Sequence, residues 1–232
     1  MDLEKFIFCK NIDEASEKIA KELLFIAQET IVQKNFFRIV LAGGNSFIKV
    51  YEILSNSNSK WDKWHLYIGD ERCLPVNSKY RNDRLIRDTW LVNGNIPEEN
   101  INFISAEINQ KLAAEKYSET LKLVPDFDVV LLGMGEDGHT ASLFPNQQND
   151  ESNFQDVLIV KNAPKYPKKR ISLSYQRLNR TQNIFKLVCG ESKLNALKLW
   201  IKGKDLPINK IVGEFERVFV CEEIFDQSYI QN

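Results

Sequence analysis

Histidine is scarce: His65 and His139 are the only two in 232 residues. Two widely separated imidazoles do not make a His-rich metal site, so no resident metal is expected. Cysteine is sparse too. Cys9, Cys73, Cys189 and Cys221 stand far apart, with no Cys-x-x-Cys pair to suggest zinc or redox chemistry, and four reduced thiols in a cytoplasmic protein are expected. No apolar run approaches the roughly 18–20 residues that span a bilayer. The start, Met1-Asp-Leu-Glu-Lys5, lacks the basic-then-apolar layout of a signal peptide. Net charge is −1, so neither nucleic acid nor an anionic membrane is favoured as a partner.

What is present is an ordinary globular balance, 43% hydrophobic and 27% charged, in a chain long enough for one large α/β core. Short apolar runs alternate with amphipathic segments. Strands are expected at Lys5–Cys9, Phe36–Ala42, Trp64–Gly69, Ile101–Ile104, Asp128–Leu132, Val157–Val160, Ile171–Leu178, Ile184–Cys189 and Arg217–Cys221. Ala15, Ile19, Leu23, Ala27 and Ile31 recur every four residues, which predicts a helix capped by Asn11 or Asp13. Further helices are expected through Ile48–Leu54, from Asn82 to Val92 with a stop at Asn93-Gly94, over Ile108–Val124, and through Leu194–Trp200. Asn146–Asn153 is polar and turn-like, and Lys161–Arg170, with Pro164 and Pro167, must be loop. This order predicts a single domain over residues 1–232, a three-layer α/β/α fold around a mainly parallel, Rossmann-like sheet.

The polar signals fall where strands end. Asp128–Leu132 is a valine-rich run that breaks into Gly133-Met-Gly-Glu-Asp-Gly-His139. Gly43-Gly-Asn-Ser46, Asp70-Glu-Arg72 and Gly190-Glu-Ser-Lys193 follow three other strands. Each alone is weak: Gly-Gly-Asn-Ser is a common turn, Asp-Glu-Arg a common solvated patch, and Gly-Asp-Gly can simply turn the chain. In a parallel sheet, however, all four loops meet on the edge where ligands bind. Gly43, Gly44, Asn45 and Ser46 open a helix, whose free N–H groups and positive dipole end suit a phosphate. Arg72, Arg170 and Lys193 are the candidate countercharges, set against the alternative of exposed surface ion pairs. Ser46 is followed by Phe47-Ile48, so there is no nucleophile elbow, and this loop has neither a Walker lysine nor Gly-x-Gly-x-x-Gly. His65, at the far end of its strand, is read as structural. The residues thus point to a metal-free, cofactor-free pocket for a small phosphorylated molecule, with one histidine and a few carboxylates to move protons.

Gly133-Met-Gly-Glu-Asp-Gly-His-Thr-Ala-Ser-Leu-Phe-Pro145 resembles the signature of the 6-phosphogluconolactonases, a family that shares its fold with glucosamine-6-phosphate deaminases. Leu41–Ser46 is similar to that family's Gly-Gly-x-Thr-Pro loop, Gly69–Pro75 to its Asp-Glu-Arg segment, and Arg81-Asn82 to its Arg-Asn or Ser-Asn pair. Lys169–Ser174 and Val188–Lys193 are similar to its later basic elements. The likeness runs from about residue 36 to 221. Ser46 stands where the family has threonine, keeping the hydroxyl, and Phe47 where it has proline. The resemblance implies hydrolysis of 6-phospho-D-glucono-1,5-lactone to 6-phosphogluconate, in the oxidative pentose phosphate pathway. It implies His139 as general base, Asp137 or Asp70 orienting it or binding sugar hydroxyls, and Gly43–Ser46, Arg72, Arg170 and Lys193 holding the phosphate. The expected partner is therefore a small phosphorylated sugar lactone, bound by a monomer or small homo-oligomer. Two alternatives stand beside this. The deaminases continue after Asp-Gly-His into Ile-Ala-Phe-Asn-Glu-Pro, and Thr140-Ala-Ser-Leu-Phe-Pro145 lacks that acidic residue. A non-catalytic sugar-phosphate sensor would sit beside a DNA-binding segment, and no basic helix-turn-helix is evident.

Overall fold

Valine- and isoleucine-rich runs too short for helices become a sheet buried on both sides. The computed structural model describes residues 4–93, 95–147 and 156–222. In chain order it contains β1 (Phe6–Cys9), α1 (Ile12–Lys34), β2 (Phe37–Leu41), α2 (Ile48–Ser55), β3 (Trp64–Ile68), β4 (Asp70–Arg72), α3 (Asn82–Thr89), β5 (Ile101–Asn102), α4 (Gln110–Lys122) and β6 (Phe127–Gly133). β7 (Val157–Val160), β8 (Arg170–Leu173), α5 (Tyr175–Leu178), β9 (Thr181–Val188), α6 (Leu194–Ile201) and β10 (Phe215–Cys221) follow. Seven strands form one sheet in the order β1-β10-β9-β6-β2-β3-β5, with every neighbour parallel. The first six residues of β6 are all buried, as a central strand covered on both faces requires.

Asn11, rather than Asp13, caps α1: its side chain accepts the Glu14 N–H at 3.0 Å, and the five expected core positions of that helix are all buried. At the other end of the sheet, Trp61, Trp64 and Trp90 meet with ring centroids 4.9–5.7 Å apart, Phe37 and Tyr51 joining them. This aromatic knot fastens α2, α3 and β3 together. His65 lies in β3 opposite Arg38 of β2, away from the loops at the strand ends; burial, then the charges of Arg38 and Lys63, push its pKa down.

Four expectations need correction. Asp70–Arg72 is not a plain loop: it is β4, edge of a separate antiparallel sheet, β4-β8-β7. The strand expected over Ile171–Leu178 stops at Leu173, because Ser174 accepts the Arg177 N–H and starts the short helix α5. The thiols are not all reduced. β9 and β10 run parallel and end side by side, so Cys189 and Cys221, with Cα atoms 5.0 Å apart, form a disulfide, while Cys9 and Cys73 are free. The third helix also stops at Thr89, with a 3-10 turn at Leu91–Asn93. Gly94 and residues 148–153 of the expected polar turn lie outside the described residues.

Candidate active site

Because β2, β3, β6 and β9 are parallel, their carboxyl ends open together onto a cleft of about 700 Å3. Gly43, Gly44, Asn45, Ser46, Asp70, Arg72, His139, Arg170 and Lys193 all line it. Of the expected site residues only Asp137 does not line the cleft, and it lies directly behind His139.

His139 is held from three sides. Asp137 Oδ1 sits 2.5 Å from its Nδ1 and also accepts its backbone N–H at 3.1 Å. Phe144 lies against the ring, centroids 4.6 Å apart. Gly135 covers the remaining side: a Cβ there would come within 2.0 Å of Nδ1. An ionised carboxylate only accepts, so the proton belongs on Nδ1 and Nε2 is left with its lone pair. Burial raises the Asp137 carboxyl, but the hydrogen bond and charge of His139 outweigh it and bring the pKa to about 2. Asp137 is thus the carboxylate that touches the histidine.

Asp70 and Glu71 are engaged elsewhere. Asp70 accepts Asn82 Nδ2 at 3.1 Å and the Ser142 hydroxyl at 2.5 Å. Glu71, fully buried, accepts the backbone N–H groups of Arg72, Asn82 and Asp83 at 2.7–2.8 Å, so it ties β4 to the start of α3. Burial and the nearby Asp83 charge push its pKa up, against those three donors.

The glycine turn after β2 has Gly44 at φ +83°, followed by a 3-10 turn over Asn45–Phe47 and then α2; no side chain caps either start. The helix expected to open directly from the glycines is therefore preceded by this turn. The same unit recurs after β9: Gly190 at φ +95°, a 3-10 turn over Glu191–Lys193, then α6. Phe47 is fully buried and stacks on Tyr51, centroids 6.1 Å apart, so the turn is anchored by packing where the related loops use proline.

Arg72 Nη1 donates to the Tyr80 carbonyl at 2.7 Å, while its Nε is buried without a partner. Arg170 donates Nε to Pro167 O at 3.0 Å and Nη2 to Lys165 O at 3.2 Å, which secures the basic loop over the cleft. Lys193 is half-buried; burial, then the charge of Lys165, lowers its pKa. Lys79, Tyr80, Lys165 and Tyr166 also line the cleft and were not expected there. The run of lysines and prolines at 161–169 was the available signal for two of them. Nothing in the sequence near Lys79 foretells that residues 79 and 80 turn back over β4.

Gly133-Met-Gly-Glu-Asp-Gly138 does carry Gly-x-Gly-x-x-Gly spacing after a strand. A dinucleotide fingerprint must then open a helix. Here the chain instead makes a tight turn, Leu143 N–H to Thr140 O at 2.9 Å, with Ala141 at φ +47°. Among the described residues, no group of three or more His, Cys, Asp or Glu is arranged to hold a metal ion.

The model of the glucosamine-6-phosphate isomerases/6-phosphogluconolactonase family matches residues 10–220. The chain belongs to that family. A 6-phosphogluconolactonase of Thermotoga maritima is 30% identical over 209 residues, spanning 90% of this chain and 92% of the relative. A probable 6-phosphogluconolactonase of Arabidopsis thaliana is 30% identical over 236 residues, 92% and 91% of the two chains. The crystal structure of a 6-phosphogluconolactonase from Thermotoga maritima superposes with a TM-score of 0.85 at 26% identity, covering 93% of this chain and 98% of that one. Phe144 stands at the position where the deaminase-like string Ile-Ala-Phe-Asn-Glu-Pro would carry its glutamate, and here it packs on His139.

Proposed function

We propose that this protein is a 6-phosphogluconolactonase, hydrolysing 6-phospho-D-glucono-1,5-lactone to 6-phospho-D-gluconate in the oxidative pentose phosphate pathway, without metal or cofactor. The observation that carries this reading is the Asp137–His139 pair set across one cleft from an uncapped glycine turn and a ring of cations. The lactonase names of the relatives agree with it.

A lactone carbonyl is already activated, so a positioned base and charge stabilisation suffice. His139 Nε2 takes a proton from water as the oxygen attacks C1, and the carbonyl electrons move onto oxygen. When the tetrahedral intermediate collapses, the C1–ring-oxygen bond breaks and the imidazolium returns its proton to the departing oxygen. Asp137 stabilises the transient imidazolium and holds its tautomer. The 43–46 turn, Arg72, Arg170 and Lys193 grip the phosphate, and binding energy realised there positions the reacting carbon. A cytoplasmic setting is part of this proposal; the described residues include no helix long and apolar enough to cross a membrane. The test is a coupled assay on freshly generated lactone, corrected for spontaneous hydrolysis. A rate no greater than the spontaneous one would reject the reading.

A further inference from the structure

The two ends of the cleft are joined beneath its floor. Asn82, 2% exposed at the start of α3, directs Nδ2 at two acceptors of Asp70, the backbone O at 2.9 Å and Oδ1 at 3.1 Å. Only the amide nitrogen can face two acceptors, so Oδ1 points the other way. The amide as a whole lies against Gly43, where a Cβ would come within 2.1 Å of Cγ and Oδ1 and 2.5 Å of Nδ2, so the contact is steric and Oδ1 stays buried without a hydrogen-bond partner. The amide therefore seats directly on the backbone of the anion turn.

On its other side Asp70 receives Ser142 Oγ at 2.5 Å. Ser142 is fully buried three residues after His139, and its N–H donates to Ser172 Oγ of β8 at 3.2 Å. Ala141, just before it, holds φ +47°, a conformation that costs an L-residue energy and needs neighbours to maintain it. Ser142 supplies that restraint from both its hydroxyl and its backbone. Gly43, Asn82, Asp70 and Ser142 thus make a continuous buried connection from the phosphate end to the histidine end.

We propose that Asn82–Asp70–Ser142 is a ruler fixing the spacing between the anion turn and His139, with Asn82 and Ser142 as positioning residues; this rests on the lactonase reading above. Asp70 then works through its two hydrogen bonds and carries no proton in the reaction. A displacement of about 1 Å at a reacting centre can cost on the order of 10²-fold in rate. The ruler is read by cutting it on either side of Asp70.

Ser142→Ala cuts the hydroxyl link from Asp70 to the histidine turn, keeps the backbone bond to Ser172, and leaves the anion turn attached. Its kcat should fall about 10- to 100-fold. Inorganic phosphate, titrated by calorimetry, should bind within about twofold of wild type, and the pH–rate profile should keep its shape because no titrating group is lost. Asn82→Ala frees the anion turn, so phosphate binding and KM should weaken about tenfold or more while kcat falls less, a split that uniform unfolding would not produce. Retention of wild-type kcat by Ser142→Ala would overturn the ruler. So would unchanged phosphate binding by Asn82→Ala, a titration that stands even if Ser142→Ala does not fold. A changed pH profile in Asp70→Asn, with both neighbours' variants near wild type, would make Asp70 a proton carrier instead. Wild-type turnover above the spontaneous rate separates failure of the ruler from failure of the lactonase reading, and phosphate titration does not depend on turnover.

Discussion

At the scale of single residues, the histidine is defined by what surrounds it more than by its own type. His139→Ala should remove most of the enzymatic rate, on the order of 10²–10⁴-fold for a positioned proton-transfer group, with a much smaller change in KM. His139→Asn keeps a hydrogen-bonding group but cannot take a proton at neutral pH, and steady-state kinetics should place it with the alanine variant. Near-wild-type turnover by the asparagine would mean that the ring only holds sugar. Gly135→Ala leaves the histidine in the chain but forces it aside, since the new Cβ would lie 2.0 Å from Nδ1. We expect kcat to drop about 100-fold, with phosphate binding preserved. An alanine enzyme with wild-type kcat would show that the ring has another productive position.

At the scale of elements, the strand–glycine–turn–helix unit after β9 delivers Lys193 into the cleft. Burial and Lys165 both disfavour its ammonium, so it loses its proton at lower pH than an ordinary lysine, near 10.4. A bound phosphomonoester is fully ionised above about pH 8. Affinity for 6-phosphogluconate should therefore weaken as pH rises through the alkaline range, at lower pH than the titration of an ordinary lysine would cause, and Lys193→Arg should move that loss to higher pH. Calorimetry across this range, showing flat affinity in the wild type, would remove Lys193 from the anion site. Elements of this kind were legible in the sequence because their cause is local. Apolar runs such as Val157–Val160 fix strands, the four-residue spacing in α1 fixes a helix face, and loops at parallel strand ends must share an edge. What was hidden is pairing between distant segments. β4 joins β8 across about a hundred residues, and Asp70–Arg72 does not look like a strand by itself. Ser142 meeting Asp70, and Cys189 meeting Cys221, depend on the assembled topology. The choice of Asp137 over Asp70 and Glu71 likewise needed coordinates, because all three stand close to a strand end in sequence.

At the scale of the whole molecule, one hydrophobic core extends from β1 to β5, and the described residues offer no metal-ligand cluster to brace it or to serve the chemistry. Exhaustive chelation should leave lactonase activity and melting temperature unchanged; activity lost and restored by a single divalent ion would refute the metal-free mechanism. The four tryptophans are divided unevenly over this core. Trp61, Trp64 and Trp90 cluster around β3, whereas Trp200 lies on Phe6 of β1, 5.5 Å between centroids, with the Lys186 ammonium 5.1 Å from its ring. The protein therefore carries an optical label at each end of its sheet. Fluorescence of a Trp200→Phe variant reports on the β3 end alone, and the difference from wild type reports on the β1 end. Coincident denaturation midpoints at the two ends are expected of a single cooperative unit; separate midpoints would divide the sheet into two folding units, with the cleft between β2 and β9 at their seam.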